Sequence, residues 1–232
     1  MMKCDDYLNA LFEQYRMVSV LSDKNGAVVM RLRHNVLEKD IILKRYQVPV
    51  AAYEMLKQCR HENLPEILES VICEDGHIVL EEYIRGITVA DVAGKYTYKG
   101  AKTVVTGVCM AIQSLHDRKI IHRDIKPENI MIASDGTVKL IDLNASRIPK
   151  GATKDTVMLG TIGYASPEQL GICESDERSD IYAVGVLLNV MLTGEHPSKL
   201  LAKGKAGRIV QKCTGIDPNS RYASAFDLMQ AL

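Results

Sequence analysis

The most informative stretch of this chain is an eight-residue polar segment between a predicted helix and a predicted strand, HRDIKPEN (122–129). A second carboxylate, Asp142, follows Asn129 by thirteen positions, at the end of the next predicted strand. The segment offers Asp124 as a carboxylate able to accept a hydroxyl proton, with the cation of Lys126 beside it. The amide oxygen of Asn129 and the carboxylate of Asp142 are hard ligands suited to magnesium.

These residues resemble the catalytic loop of the protein-kinase family, and most closely that of bacterial serine/threonine kinases. The resemblance implies that Asp124 is the catalytic base and that Lys126 steadies the transferred phosphate. It also implies that Asn129 and Asp142 bind Mg²⁺. A lysine two residues after the catalytic aspartate is typical of the serine/threonine branch. The implied fold is α+β and bilobal, with a small β-rich N-lobe containing one helix and a larger, mainly helical C-lobe, and with ATP and Mg²⁺ between them.

Later landmarks of the family follow in the same order. The run GTIGYASPE (160–168) resembles the end of an activation segment. By the same resemblance Asp180 braces the catalytic loop, Arg221 pairs with Glu168, and Thr161 forms hydrogen bonds with Asp124 and Lys126. The whole chain, 1–232, is therefore interpreted as one kinase domain, with the N-lobe and hinge at about 15–84 and the C-lobe at 85–232.

Short β-rich runs precede the catalytic loop. Strands are predicted at 17–21, 27–32, 40–46 and 77–83, and a helix at about 50–60. The third strand ends its apolar run in Lys44, which resembles the lysine that contacts the α- and β-phosphates of ATP. Beyond Gly86 the predicted elements are mainly helices, at 102–118 and 180–193, with short strands at 129–133 and 137–141.

The phosphate-covering loop departs from the family pattern. The resemblance places Leu21 and Val28 against the nucleotide, with several glycines between them, but this chain has only Gly26 there. Fewer glycines mean fewer backbone amides able to approach phosphate closely. We therefore expect a weaker hold on ATP.

The acidic partner of Lys44 is a second departure, with two candidates. Glu54 is the only acid in the predicted helix, but it lies about two residues, or about 200° of helix rotation, from the expected position. Glu81 falls at the back of the predicted nucleotide pocket, where a carboxylate is costly unless paired. Either Glu81 pairs with Lys44, or the strand register differs by one and Glu81 points to solvent. On both registers the adenine contacts the backbone between Glu82 and Ile84.

A third departure is Asp142-Leu143-Asn144, where the family has Asp-Phe-Gly. Leu143 keeps an apolar anchor and the metal-binding aspartate is retained. Asparagine tolerates a left-handed backbone better than most residues, so the missing glycine does not exclude the fold.

The amino-acid composition limits which partners and which cellular location we expect for this chain. Lysine plus arginine and aspartate plus glutamate both number 29, so a net charge of zero argues against a nucleic-acid partner. Six scattered cysteines without a C-x-x-C pair indicate reduced thiols. No signal peptide or membrane segment is predicted, so we expect a cytoplasmic protein or the cytosolic domain of a larger one.

The predicted activity is transfer of the γ-phosphate of ATP to serine or threonine hydroxyls of proteins, including the chain itself through self-association. The alternative is a pseudokinase that senses nucleotide or acts as a scaffold. A third possibility is a kinase that acts on small molecules. The segment 160–168 argues against it, because by the resemblance this segment shapes the surface that binds a peptide substrate. Phosphorylation of Thr153 or Thr156, with Arg123 or Arg147 as partner, is the predicted form of regulation.

Overall fold

The computed structural model describes residues 2–24, 26–92, 96–149, 161, 163–170 and 175–232. The chain divides into two compact units. The first comprises Met1–Arg60 and Pro65–Ile84, and the second comprises His61–Leu64 and Arg85–Leu232. That the whole chain forms one kinase domain remains a prediction.

The first unit is built on a five-stranded antiparallel sheet in the order β1-β2-β3-β5-β4, with two helices. Its elements in chain order are α1 (Cys4–Gln14), β1 (Tyr15–Lys24), β2 (Ala27–His34), β3 (Asp40–Tyr46), α2 (Ala51–Leu56), β4 (Ile67–Cys73) and β5 (Gly76–Glu82).

Helix α1 covers one face of this sheet. Cys4 and Leu8 are four residues apart and therefore lie on one side of the helix. They pack against buried apolar side chains from the sheet, namely Leu32, Ile41, Leu43, Cys73, Ile78 and Leu80. Asp5 and Asp6 in the first turn favour the helix, because negative charge is stabilising at a helix N-terminus.

The first unit differs from the sequence prediction in three elements. It contains two helices rather than one, because α1 was not predicted. Strand β4 was also missed, since its apolar residues are interrupted by Glu69 and Ser70 and its pairing shifts near Ile67. Helix α2 has six residues and is shorter than the predicted 50–60.

Strands β1 and β2 form a hairpin that is paired to its tip, with Lys24 opposite Ala27. Gly26 has φ +74°, a conformation that glycine adopts without steric cost. Its carbonyl oxygen accepts a hydrogen bond of 3.1 Å from the backbone of Gln47, which ties the tip to the end of β3. The single glycine of this segment therefore serves a tight turn.

The second unit is mainly helical. Its strands are β6 (Gly86–Thr88), β7 (Ile130–Ala133) and β8 (Val138–Leu140), which form one antiparallel sheet. Its helices are α3 (Tyr98–His116), α4 (Glu177–Thr193), α5 (Gly204–Cys213) and α6 (Ala225–Ala231).

Helix α4 is the buried helix that the sequence predicted. The side chain of Asp176 caps its N-terminus, and Gly194 ends it with φ +77°. Most of its side chains are buried, including the polar residues Asp180 and Asn189. A buried carboxylate requires partners, and those of Asp180 define the site described below.

Within the described residues, no helix combines the length and the apolar character needed to cross a lipid bilayer. Five of the six cysteines lie in the described part of the chain, and all five are free thiols, as predicted. Cys173 is outside the described residues.

Candidate active site

The polar segment 122–129 lies between α3 and β7, where a rigid scaffold presents it. Asn129 ends a short 3₁₀ turn directly before β7, and Asp142 follows β8 by two residues. Ile130 pairs with Leu140 across the two strands, and the backbone N–H of Ile141 donates to the carbonyl of Asn129 at 2.8 Å. The β7–β8 hairpin therefore brings Asn129 and Asp142 to the same end of the sheet.

Asp124 lies at the centre of a compact hydrogen-bonded cluster. The Lys126 Nζ is 2.7 Å from Asp124 Oδ2, and the Thr161 hydroxyl donates to Asp124 Oδ1 at 2.7 Å. The Asn129 Nδ2 donates to Asp124 Oδ2 at 2.9 Å and to its carbonyl at 2.8 Å. Lys126 also donates to the Thr161 hydroxyl at 2.8 Å, so the contacts predicted for Thr161 are confirmed.

The environment of Asp124 keeps it ionised. Burial alone would raise its pKa, but hydrogen bonds from Lys126 and Thr161 outweigh burial and hold the pKa below its usual value. The group is therefore a carboxylate at neutral pH, which is the form that accepts a hydroxyl proton.

Asp180 holds the start of the segment 122–129 through backbone hydrogen bonds. Its carboxylate accepts from the backbone N–H of His122 at 2.9 Å and of Arg123 at 2.8 Å. Its Oδ2 lies 2.8 Å from Nε2 of His116. Burial would raise the pKa of Asp180, whereas the hydrogen bond with His116 helps to lower it. The predicted bracing role of Asp180 is confirmed.

The predicted pairing of Glu168 with Arg221 is also confirmed. Two hydrogen bonds of 2.6 and 2.9 Å join their side chains, and both residues are buried. Ser179 donates a further hydrogen bond of 2.9 Å to Glu168. This pair connects the 3₁₀ turn at Pro167–Leu170 with the segment before α6.

Asp142 adopts an unusual backbone conformation, with φ +68°. From the sequence we expected a left-handed backbone conformation, if present, at Asn144, which replaces the glycine of the family pattern. The structure instead has positive φ at the aspartate itself, and the N–H of Asn144 donates to Asp142 Oδ1 at 3.2 Å. Leu143 is buried, as expected of an apolar anchor. Strained backbone of this kind is concentrated at functional sites.

In the first unit, Lys44 pairs with Glu81. The Lys44 Nζ lies 2.8 Å from Glu81 Oε2, and the two side chains are only 6% and 5% exposed. Glu54 is 40% exposed, and its carboxylate lies 3.9 Å from the imidazole of His77. Of the two candidate partners, the structure therefore selects Glu81, and the solvent-facing alternative for Glu81 is wrong.

Val28 does not share a sheet face with Lys44. Paired residues of an antiparallel sheet lie on the same face, and Lys44 pairs with Val29. Val28 pairs with Arg45 and lies on the opposite face. The face of Lys44 therefore carries Val29 rather than Val28, and the nucleotide contact at this part of β2 remains a prediction. Leu21 lies at an irregularity of the β1–β2 pairing and is more than half exposed.

Glu82 and Ile84 lie at the end of β5 and just beyond it. The backbone N–H of Glu82 donates to the carbonyl of Glu66 at 3.0 Å, and its side chain accepts from the N–H of Glu66 at 3.1 Å. Strand β4 and the residues before it thus hold Glu82 in place. The contact of adenine with this backbone remains a prediction.

Two tyrosines next to Lys44 were not identified from the sequence. Lys44 Nζ donates to the Tyr53 hydroxyl at 3.0 Å, and the hydroxyls of Tyr53 and Tyr46 are 2.8 Å apart. Tyr53 shares the buried side of α2 with Ala52 and Leu56. A tyrosine in the apolar stripe of a short helix was the available signal, because a buried hydroxyl requires a partner.

Part of the predicted regulatory segment lies outside the described residues, including Thr153, Thr156, Gly160 and Ile162. Arg147 is described, and its backbone pairs with that of Ile121. Phosphorylation of this segment remains a prediction.

The donor set near Asp124 fits a hard divalent cation. Asn129, with an amide oxygen, and Asp142, with a carboxylate, lie at the same end of the β7–β8 hairpin. Among the described residues, no group of three or more histidine, cysteine, aspartate or glutamate side chains could hold a metal alone. A cation here would therefore require further ligands, such as water or substrate phosphate, as magnesium usually does.

The chain resembles known proteins over most of its length. A family model described as protein kinase domain matches residues 28–229. The chain is 38% identical over 126 residues to the serine/threonine-protein kinase PknB of Mycobacterium tuberculosis, a match covering 51% of this chain and 20% of that protein.

Two longer matches carry similar names. The chain is 38% identical over 208 residues to a probable serine/threonine-protein kinase PknB of Corynebacterium glutamicum, covering 80% of this chain and 32% of the relative. It is 30% identical over 182 residues to a protein of the same name in Lactococcus lactis, covering 76% and 28%. The chain thus matches about a fifth to a third of the length of these relatives. Because the family model covers residues 28–229, and the catalytic segment and its braces lie within them, the chain belongs to the protein kinase domain family.

Proposed function

We propose that this chain is an active serine/threonine protein kinase, which transfers the γ-phosphate of ATP to hydroxyls of proteins and of itself. The observation that carries the proposal is the cluster around Asp124, in which Lys126, Thr161 and Asn129 orient an ionised carboxylate. An oriented carboxylate with a neighbouring ammonium is suited to accept the hydroxyl proton of a serine or threonine while phosphate is transferred.

Four residues of the second unit have roles in this proposal. Asp124 accepts the proton of the attacking hydroxyl. Lys126 offers positive charge to the transferred phosphoryl group, because its Nζ lies within the same cluster. Asn129 and Asp142 would hold the divalent cation, for which Mg²⁺ is proposed, and which when bound neutralises charge on the phosphates.

In the first unit, Lys44 is proposed to contact the α- and β-phosphates. The backbone of Glu82 and Ile84 would contact adenine, and Leu21 and Val29 would contribute apolar surface. The β1–β2 hairpin is paired as far as Lys24 and Ala27, so strand pairing already uses backbone groups near its tip. The phosphates would then depend mainly on Lys44 and the cation.

The partners follow from this chemistry. A protein carrying a serine or threonine acceptor is the proposed substrate, and a second copy of the chain is one such substrate through self-association. A cytoplasmic location, with access to ATP, is proposed with it. The balanced charge of 29 basic and 29 acidic residues gives no electrostatic reason for a nucleic-acid partner.

The test is autophosphorylation with labelled ATP and Mg²⁺, comparing the wild type with Asp124→Asn. We expect label on the wild type and a loss of about 10²–10⁴-fold in the variant, the usual contribution of general acid–base catalysis. Asp135→Asn is a matched control, because Asp135 is an exposed aspartate in the turn between β7 and β8. Its label should equal that of the wild type, and EDTA should abolish both signals.

Absence of label on a wild-type protein that still binds ATP would contradict the proposal. The chain would then be a nucleotide-binding module without phosphotransfer. Equal labelling of wild type and Asp124→Asn would show that Asp124 is not the base.

A further inference from the structure

The lysine–glutamate pair of this chain lies within one β-sheet. Lys44 is opposite Val79, and Glu81 is opposite Ile42, on the neighbouring strands β3 and β5. Because opposite residues share a face, Lys44 and Glu81 lie diagonally on the same face. Long side chains span such a diagonal, and here the two charged atoms approach to 2.8 Å. Backbone hydrogen bonds between the two strands therefore set the separation of the pair.

Stability alone does not explain this pair. A buried ion pair loses the hydration of both charges, and replacing it by apolar residues is often neutral or stabilising. Glu81 also directly follows three buried apolar residues of its strand, Ile78, Val79 and Leu80. A carboxylate in such a strand is more readily explained by what it does to Lys44 than by its contribution to folding.

A second contact fixes the direction of the ammonium group. Lys44 Nζ donates to the Tyr53 hydroxyl at 3.0 Å, and that hydroxyl is 2.8 Å from the Tyr46 hydroxyl. The tyrosine rings pack with centroids 5.7 Å apart. The side chain of Lys44 is thus held from β5 by charge and from α2 by a neutral hydroxyl.

Helix α2 does not supply the carboxylate. Glu54 follows Tyr53 directly, so the two side chains leave the helix about 100° apart. Tyr53 is fully buried, whereas Glu54 is largely exposed. The one acid of α2 therefore faces away from the lysine.

We propose that Glu81 is the positioning residue for Lys44, holding its ammonium group for the phosphates of ATP in place of a helix-borne glutamate. The proposal rests on the proposed function for the identity of the ligand. Its geometry rests on the β3–β5 register and on the 2.8 Å contact.

A double-mutant cycle on ATP affinity tests this. The dissociation constant of ATP with Mg²⁺ is measured for the wild type, Glu81→Gln, Lys44→Met and the double variant. Glu81→Gln should weaken binding by about tenfold or more, since it leaves a buried charge without its partner. In the Lys44→Met background the same change should have no effect, because Glu81 acts only through Lys44.

The matched control is Glu54→Gln, the same change on the neighbouring helix. Its ATP affinity should stay within about twofold of the wild type, since the Glu54 side chain is 40% exposed and Lys44 has Glu81 as its carboxylate partner. Glu81→Asp keeps the carboxylate and should recover part of the affinity. Thermal melting of each variant shows whether it is folded. If Glu81→Gln does not fold, Glu81→Asp takes its place in the cycle.

Three outcomes would overturn the proposal. An equal loss from Glu81→Gln in both backgrounds would show that Glu81 acts through folding rather than through Lys44. A loss in Glu54→Gln without one in Glu81→Gln would return the role to α2. A wild type that does not bind ATP would also refute it. A wild type that binds ATP but transfers no phosphate would refute only the proposed kinase activity, and the cycle would still report on Glu81.

Discussion

Glu168 and Arg221 form a buried ion pair with two hydrogen bonds, and Arg221 also donates to the carbonyl oxygens of Gly215 and Arg178. Replacing Arg221 with methionine keeps much of its volume but leaves the Glu168 carboxylate buried without its cation. We expect the free energy of unfolding to fall by about 3–5 kcal/mol, the usual cost of breaking a buried pair. Urea denaturation monitored by circular dichroism measures this change.

The control for this prediction is Arg178→Met. Arg178 pairs with Asp176 at 2.6 Å, but both side chains are substantially exposed. Exposed pairs contribute about 0–1 kcal/mol, so this variant should remain near the wild type. If the two variants were equally stable, the buried pair would not be a major support of this segment.

The Glu168 pair also gives the protein an acid dependence. Burial would raise the pKa of Glu168, but hydrogen bonds from Arg221 outweigh it and hold the pKa below the ordinary glutamate value. A group with a lowered folded-state pKa stabilises the fold above its unfolded pKa, about 4.3, and loses that contribution as pH falls through the folded value. The loss of stability on acidification below about pH 4.3 should therefore be smaller in Arg221→Met than in the wild type.

At the residue scale, the sequence predicted which polar side chains of the loop meet, but not which face of a strand a residue lies on. Asp124, Lys126, Asn129 and Thr161 meet as the segment pattern indicated. Val28 was chosen where Val29 lies on the face of Lys44, since strand alternation identifies two faces but not which one holds the lysine. The pairing register of β2 with β3 decides this, and the sequence analysis did not predict that register.

Helix α1 is one of the elements that the sequence did not reveal. Its short apolar stripe, with Leu8 and Cys4 buried, gives a weak periodic signal, and its stability comes from packing on the sheet. Strand β4 was missed for a related reason: two polar residues interrupt its apolar run. The long buried helix α4 was predicted because its stretch from Ile181 to Leu192 is apolar apart from Asn189 and because Gly194 marks its end.

The packing of α1 can be tested at Leu8. Leu8→Ala removes a side chain that is 7% exposed and packs with Leu32, Leu43 and Leu80. We expect a loss of about 2–5 kcal/mol in the free energy of unfolding, as for other buried leucines. Phe12→Ala on the same helix, at 40% exposure, should cost less, although phenylalanine is larger. Equal losses measured by denaturation would indicate that α1 does not pack on the sheet through Leu8.

At the scale of the whole molecule, the balance of basic and acidic residues determines how solubility depends on pH. With 29 basic and 29 acidic residues and a calculated isoelectric point near 7.0, the protein has little net repulsion at neutral pH. We expect solubility, measured by polyethylene glycol precipitation, to be lowest near pH 7 and to rise on either side. A minimum displaced by two pH units or more would show that the sequence charge does not represent the folded surface.

The strand-borne partner of Lys44 bears on how such an enzyme could be switched. In protein kinases the corresponding glutamate usually lies on a helix, so moving the helix makes or breaks the pair and turns activity on or off. Two adjacent strands of one sheet cannot slide apart gradually, because a slip of one residue turns every side chain to the other face. With Glu81 as the partner, the Lys44–Glu81 ion pair persists when α2 moves, and α2 contributes only the hydroxyl of Tyr53 to the position of Lys44. Control would then act through nucleotide access or through the segment after Asp142.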